Sequence, residues 1–304
     1  MSTASCRRAW LLPTAVAIGA LQLGAVACGP EQAAPPARRA GAVQSVRLCV
    51  LDGGVLESDP ARYQLKPEEV ATAQLSVAAY LVVHPAGTLM WDAGAVADDS
   101  WAPTGGPVSR HLVLSNGQDR RVTLVAPLRA QLDAAGYAPG GITYLALSHY
   151  HWDHVANAND FAGATWLVRQ SERDGLFPRQ PADPPQPSTY ARLQNSRTTI
   201  ISTDEYDVFG DGTVVIKASP GHTPGHQVLY VKLVKTGGLV LSGDLYHYPE
   251  ERTLHRLPVA DDQERTRQSR EAIEGFLTQT GAQLWIQHDL TAHARLRKAP
   301  DCYD

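Results

Sequence analysis

Seven side chains of types that bind metal ions follow short apolar stretches of this 304-residue sequence. Four of them fall within six residues, and the other three come singly further along the chain. They are His149, His151, Asp153 and His154, followed by His222, Asp244 and His288. Imidazole and carboxylate groups are preferred zinc ligands, whereas a hydrophobic core has no use for such a cluster. Structural zinc is closed by four ligands, so seven around two Zn²⁺ or other divalent metals predict an open, catalytic centre.

Each candidate ligand stands just past a predicted strand. The strands are 142–147 before the cluster, 213–218 before His222, 239–241 before Asp244 and 284–286 before His288. Side chains at the ends of neighbouring strands converge on a common cleft. The sequence therefore predicts that the seven groups meet at one edge of the sheets.

The remaining pattern predicts an α/β protein. Hairpins are predicted for 75–83 with 88–91 and for 207–209 with 213–218, and helices for 127–135, 170–174 and 262–280. The chain has two similar halves, each ending in a helix and a strand. This order predicts an αββα sandwich, in which two mixed β-sheets stack face to face with helices outside. Two segments rich in Pro and Gly, 96–122 and 175–199, are predicted to be loops over the site.

The first 43 residues have the composition of an export segment and a linker. Arg7 and Arg8 precede an uncharged, apolar stretch that ends in a small-residue cleavage signal, so 1–27 are predicted to be a signal peptide. Cys28 follows directly and resembles the lipid-modified cysteine of bacterial lipoproteins. Residues 28–43 are then predicted to be an anchor and linker, and 44–304 the domain that carries the candidate metal ligands. The expected location is the periplasm or a membrane-anchored lipoprotein; an N-terminal membrane helix is the alternative.

Charge and cysteine usage narrow the class of protein further. The formal charge is −4, and no basic run is present, which excludes an extended nucleic-acid interface. The expected partner is a small molecule, with membrane contact only through the lipid anchor. Cys49 and Cys302 are able to pair in an oxidising compartment; alternatively, Cys49 packs as a small apolar residue.

The ligand pattern His-x-His-x-Asp-His, then His, Asp and His, resembles that of the metallo-β-lactamase fold superfamily over 46–288. The resemblance implies one metal bound by His149, His151 and His222, and a second bound by Asp153, His154 and His288, with Asp244 bridging them. Asp92, in a matching Asp-x-Gly strand end, is implied to orient a ligand imidazole. A turn-capping Asp92 is the alternative.

Details of the motifs point to a substrate class. An Asp at 244 is similar to hydrolases of esters and lactones, since true β-lactamases have Cys or Ser there. The turn 221–227 and the segment 148–154 resemble those of N-acyl homoserine lactonases. The resemblance implies a dinuclear zinc enzyme that opens lactone ester bonds, with Asp153 passing a proton to the leaving alkoxide.

One departure concerns the residue three positions after the bridging Asp, where the lactonases have Tyr and this chain has His247. We expect His247 to donate a hydrogen bond to the substrate carbonyl, with Tyr246, Tyr248 and Phe177 as substrate contacts. Alternatively, two of the three consecutive rings merely pack the loop. Other functions left open are a different carboxylic-ester or phosphodiester hydrolase of this fold, a β-lactamase, and a metal-binding surface lipoprotein without turnover. The oligomeric state is not predicted.

Overall fold

The computed structural model describes residues 44–98, 106–114, 117–178 and 187–304. The predicted signal peptide and the linker with Cys28 lie outside these residues. Among the residues that are described, no helix has the length and apolar character needed to cross a bilayer.

The described residues form 14 strands and six α-helices. The strands are β1 (Arg47–Glu57), β2 (Gln74–His84), β3 (Gly87–Trp91), β4 (Val108–Val113), β5 (Asp119–Leu124), β6 (Tyr144–Ala146), β7 (Thr165–Val168), β8 (Thr198–Ile200), β9 (Glu205–Asp207), β10 (Val214–Ala218), β11 (Gln227–Leu233), β12 (Gly237–Leu241), β13 (Gln283–Trp285) and β14 (Cys302–Tyr303). The helices are α1 (Leu128–Ala134), α2 (Trp152–Val155), α3 (Gln170–Leu176), α4 (Pro249–Thr253), α5 (Gln263–Thr280) and α6 (Leu290–His293).

The strands form two mixed sheets within the described part of the chain. The first has the order β4-β5-β1-β2-β3-β6-β7-β8, with β14 also paired to β1, and the second has the order β13-β12-β11-β10-β9. Strands β3, β6, β7 and β8 are parallel, as are β12 and β13. The remaining pairs are antiparallel, including the predicted β2–β3 and β9–β10 hairpins.

Alternation along the strands explains why the sheets stack with helices outside. Successive residues of a strand point to opposite faces. Leu48 and Val50 of β1 lie in the core between the sheets with Leu229 of β11, whereas Cys49 and Leu51 lie in a second core. That second core includes Leu128 and Leu132 of α1, and a third joins Val228 and Val240 of the other sheet to Ile273 and Leu277 of α5. The predicted αββα architecture is confirmed.

Cys49 and Cys302 form a disulfide between directly opposed residues of β1 and β14. The Cys49 side chain is also fully buried, so it belongs to the core and is paired at the same time. The disulfide ties the C-terminal strand to the centre of the first sheet.

The prediction of loops at 96–122 and 175–199 is wrong for part of each segment. The first segment contains β4 and most of β5, which pair as an antiparallel hairpin at the sheet edge. The second contains the end of α3 and two of the three residues of β8, and its Leu176 and Tyr190 are buried in the core that includes Leu128 and Leu132 of α1. Edge strands with one solvent-facing side have little apolar character, which hid them in the sequence. Residues 99–105, 115–116 and 179–186 lie outside the described chain.

Candidate metal centre

The candidate ligands meet because strands from both sheets end at one edge of the sandwich. In the first sheet, parallel β3 and β6 are followed by Asp92 and by the segment that begins at His149. In the second sheet, β10, β12 and β13 share one direction, because β10 and β12 are each antiparallel to β11. His222, Asp244 and His288 follow these three strands.

The structure brings all seven predicted ligands together in two groups. Ligand atoms of His149, His151, His222 and Asp244 lie within 4.8 Å of one another, and so do those of Asp153, His154 and His288. These are the two sets that the resemblance implied, with Asp244 recovered in the first. Short α2, which begins directly after His151, turns Asp153 and His154 toward the second group.

The Asp244 carboxylate lies between the two groups. Its Oδ1 is 3.0 Å from His154 Nε2 and 2.9 Å from His288 Nε2. Its Oδ2 is 3.2 Å from His222 Nε2 and 3.5 Å from His149 Nε2. Because each oxygen faces a different group, the carboxylate has the arrangement of a bridge between two metals.

The ligand atoms are better suited to bind metal ions than to hydrogen-bond with one another. His149 Nε2, His154 Nε2 and Asp244 Oδ1 are buried without a hydrogen-bond partner in the described structure. An unpaired buried polar atom costs about 1–3 kcal/mol. Burial lowers the pKa of His149 and of His151 well below the usual range. Burial acts in the same direction on His154 and His222, but the nearby carboxylates, Asp244 above all, outweigh it and raise the pKa of both rings. A pair of divalent cations between these groups would take the place of the protons that His154 and His222 otherwise bind.

Asp92 stands behind the centre, where the resemblance implied it. Its Oδ2 is 2.9 Å from His154 Nδ1 and accepts a hydrogen bond from Gln287 Nε2 at 2.7 Å. Its Oδ1 accepts from the Ser148 amide at 2.6 Å. A carboxylate on Nδ1 fixes the ring and leaves Nε2 free for a metal.

Asp261 plays the same part for His222, and sequence reasoning missed it. Its Oδ1 lies 2.9 Å from His222 Nδ1, and its Oδ2 accepts from the Thr266 hydroxyl at 3.1 Å. The only local signal was a pair of aspartates before α5, of which Asp262 is the N-cap. Nothing in the spacing linked Asp261 to a histidine 39 positions earlier.

His226 holds the backbone of Asp244 in place, a role that the sequence did not indicate. Its Nδ1 donates to the Ser219 carbonyl at 3.0 Å, so its Nε2 is free to accept from the Asp244 amide at 2.9 Å. Burial lowers the pKa of His226 to about 3, in keeping with a neutral ring. Gly243, with φ of 49°, allows this approach, because a Cβ there would lie 2.7 Å from His226 Nε2.

Glu172 of α3 joins the two ligand turns of the first group. Its Oε2 accepts from the Tyr150 amide at 2.9 Å, between two ligand histidines of the first turn. Its Oε1 accepts from the Thr223 hydroxyl at 2.8 Å and the Gly225 amide at 2.7 Å, in the turn that carries His222. The carboxylate is buried, and it sets the separation of the two turns.

Of the four predicted substrate contacts, two lie at or beside the centre, namely His247 and Tyr248. His247 is buried at the centre, with Nε2 3.1 Å from Asp244 Oδ2. Tyr248 packs edge-on against Tyr63, its hydroxyl has no partner in the described structure, and it lines a cavity of about 150 Å³ with His288.

The structure does not bring Tyr246 or Phe177 to the centre. Tyr246 donates to Glu274 of α5 at 3.1 Å, and Arg270 lies 4.1 Å from its ring centroid. It is buried against α5, because neighbouring residues of an extended segment face opposite sides and His247 faces the centre. Phe177 packs against Trp166 and Tyr190 in the core.

A larger cavity of about 440 Å³ opens beside His222 and His247. Its other walls come from the short helical turn Pro60–Tyr63 and from residues 258–261. The Tyr63 ring lies 4.4 Å from the His247 ring. Sequence reasoning did not identify these walls, because they follow no motif.

A family model described as the metallo-beta-lactamase superfamily matches residues 73–278. The chain belongs to the metallo-beta-lactamase superfamily. The matched range contains six of the seven ligands and ends before His288, which the geometry adds. With all seven candidate ligands brought together, the protein is a metal-dependent hydrolase of this superfamily.

Curated relatives and solved structures agree with this family. An N-acyl homoserine lactonase, AttM, from Azorhizobium caulinodans is 29% identical over 276 residues, covering 85% of this chain and 99% of that protein. The crystal structure of a B. thuringiensis AiiA mutant with N-decanoyl-L-homoserine bound at the active site has a TM-score of 0.70 at 21% identity, covering 86% of this chain and 100% of that one. AidC, a dizinc quorum-quenching lactonase in complex with a product, has a TM-score of 0.56 at 17% identity, covering 81% and 88%. At these identities the structural matches concern the fold.

Proposed function

We propose that this superfamily member is a dinuclear zinc lactonase that opens the ring of N-acyl homoserine lactones. The observation that carries the proposal is the Asp244 carboxylate, which faces three-histidine and Asp-His-His groups with separate oxygens. Support comes from the AttM relative, whose name states this activity, and from AidC, which is described as dizinc.

Two zinc ions bound by these residues would supply Lewis acidity for an ester carbonyl and activate water near neutral pH. Hydrolysis adds water across the acyl C–O bond of the ring, and the departing ring oxygen takes up a proton. Asp153 is the residue we assign to that proton transfer. Its Oδ2 is 3.8 Å from His288 Nε2, in the group that Asp244 Oδ1 faces. A carboxylate placed beside the reacting ester is suited to pass a proton to the departing oxygen.

The cavity beside His222 and His247 is the proposed site of the acyl chain. Its volume of about 440 Å³ lies within the ordinary range of ligand pockets. Ala61, Pro258 and Val259 give it apolar walls, and Tyr63 adds an aromatic face next to the centre. An N-acyl chain that extends from a lactone bound at the centre would pack against these apolar walls.

A hydrolysis panel tests the proposed activity. Purified, zinc-loaded protein is assayed with homoserine lactones of several acyl lengths, an aryl ester, a phosphodiester and a cephalosporin. We expect ring opening of the homoserine lactones to have the highest kcat/KM. Preference for the aryl ester, phosphodiester or cephalosporin would replace the lactonase proposal with that activity, and no turnover at all would favour a metal-binding lipoprotein.

Matched carboxamide variants show whether the turnover belongs to this centre. Asp244→Asn is expected to abolish it. Asp211→Asn alters a carboxylate that pairs with His84 away from the centre, and is expected to retain it.

We also propose that the protein is exported and lipid-modified on Cys28. The small-residue signal before Cys28 supports this, and so does the Cys49–Cys302 disulfide, since such bonds persist mainly in oxidising compartments. Cell fractionation with labelled palmitate is expected to show a lipid-bearing envelope protein that loses its label in Cys28→Ser. An unprocessed, unlabelled protein in the cytosol would contradict the proposal.

A further inference from the structure

His247 has the surroundings of a metal ligand as well as those of a substrate contact. Its ring is buried and parallel to that of His288, with the centroids 5.4 Å apart. Ligand atoms of Asp244, His247 and His288 lie within 4.8 Å of one another, so they form a third possible ligand group at the centre. None of the seven ligand assignments above uses this imidazole.

The back of the His247 ring faces a carboxylate, as do the rings of two ligand histidines. Asp92 lies behind His154 and Asp261 behind His222, each with a carboxylate oxygen 2.9 Å from Nδ1. Behind His247, Glu251 Oε1 lies 3.5 Å from Nδ1. Metal-binding histidines commonly donate their second ring N–H to such a group.

Glu251 is held in place, so this arrangement is built into the fold. Its Oε1 accepts from the backbone amides of His247 at 2.8 Å and Tyr248 at 3.0 Å. Its Oε2 accepts from Arg270 of α5 at 2.5 Å, and the carboxylate is fully buried. Glu251 is therefore fixed behind the His247 ring, and the other ring nitrogen, Nε2, faces Asp244.

The Nε2 atom lies on the other side of the ring, inside the centre. It is 3.1 Å from Asp244 Oδ2, and ligand atoms of His247, Asp244 and His288 are near enough to meet at one metal ion.

We propose that His247 Nε2 is an eighth metal ligand, which binds the ion held by His288 together with Asp244. His247 then strengthens metal binding and occupies one coordination position, rather than waiting as a hydrogen-bond donor for the substrate carbonyl. The proposal deepens the function proposed above, because it concerns the same centre. Its test uses no lactone, so its failure would leave the lactonase proposal intact.

A direct test is NMR of the full chain with ¹⁵N-labelled histidine, stripped of metal and loaded with ¹¹³Cd²⁺. A bond between cadmium and nitrogen gives a scalar coupling between the two nuclei. We expect six of the 11 histidines to show it, namely the five ligand histidines and His247, whose signal is assigned by its loss in His247→Gln. Coupling in five histidines only, with a proton on His247 Nε2, would overturn the proposal.

Zinc affinity, measured by competition with a chelator, gives a second readout. His247→Gln is expected to weaken one of the two zinc sites by about 10–100-fold, and Glu251→Gln to weaken the same site less. His84→Gln is the matched control, because His84 is buried and paired with Asp211 2.8 Å away but lies outside the centre. Equal zinc affinity in His247→Gln and the control would contradict the proposal. If His247→Gln fails to fold, the coupling in the unaltered protein decides alone.

Discussion

Replacing Glu172 should loosen the metal centre without removing any ligand. The Glu172→Gln change retains one carbonyl oxygen, which suits the Thr223 hydroxyl and the Gly225 amide. It places an NH₂ group against the Tyr150 amide, where the carboxylate accepted at 2.9 Å. One turn of the first ligand group thereby loses its attachment to α3.

The size of the effect follows from the bonds that change. A buried hydrogen bond to a charged group contributes about 1.5–3 kcal/mol, so Glu172→Gln should lower the free energy of unfolding by about 2 kcal/mol. In a domain of this size that corresponds to roughly 4–8 °C in Tm. Glu172→Ala removes all three bonds and leaves two buried amides unpaired, so it should cost about 3–5 kcal/mol.

The assay combines metal-free and metal-loaded measurements. Thermal unfolding of the metal-free protein reports the loss of stability, and competition with a chelator reports zinc affinity. Zinc affinity should fall by about 10–100-fold in Glu172→Gln, because His151 and His222 are no longer held at a fixed separation. Glu271→Gln on the exposed side of α5 is the control and should change neither quantity. Unchanged zinc affinity in a destabilised Glu172→Gln protein would refute the reasoning, since Glu172 would then serve stability alone.

Three further predictions concern the bridge, the disulfide and acid stability. Asp244→Ala should reduce bound metal from about two equivalents toward one, measured by mass spectrometry after dialysis, because one carboxylate faces both groups; two retained equivalents would exclude a bridging role. Cys302→Ser should lower the free energy of unfolding in urea by about 2–5 kcal/mol, because the disulfide closes a sequence separation of 253, and reducing agent should then have no further effect. Burial lowers the pKa of His293 in the folded protein to about 3 from an ordinary 6.5, so the unfolded chain binds the extra proton below about pH 6.5 and stability falls from there toward pH 3. In metal-free His293→Gln, the loss of stability between about pH 6 and pH 4 should be smaller by roughly 2 kcal/mol, and an unchanged loss would contradict this assignment.

The ligand set was predictable because its signals are local. The His149–His154 cluster is contiguous in sequence, and each later ligand directly follows an apolar strand. Helix α5 was predictable for the same reason, since Asp262 caps its start and Gly281, with φ of 68°, ends it.

The supporting residues were not predictable, because their partners are distant in sequence. Glu172 meets Thr223 across 51 positions, and Asp261 meets His222 across 39. Neither carboxylate lies in a motif, and each reads as an ordinary helix or cap residue. Their roles depend on how two sheets place separate turns side by side, which only the folded structure shows.

The orientation of residues 246–248 could not be predicted from the sequence either. They follow the helical turn Gly243–Leu245, and in the folded chain His247 faces Asp244 while Tyr246 faces α5. The β4–β5 hairpin was missed because its burial alternates along an edge, so a polar segment resembled a loop.

The most direct test of the central claim is a zinc titration of the metal-free protein, followed by the rate at which it opens an N-acyl homoserine lactone. We expect the rate to rise until two equivalents of zinc are bound and then to stay constant, because both ligand groups and the Asp244 bridge take part. Full activity at one equivalent would contradict the dinuclear centre. Two bound equivalents without lactone opening would contradict the lactonase assignment.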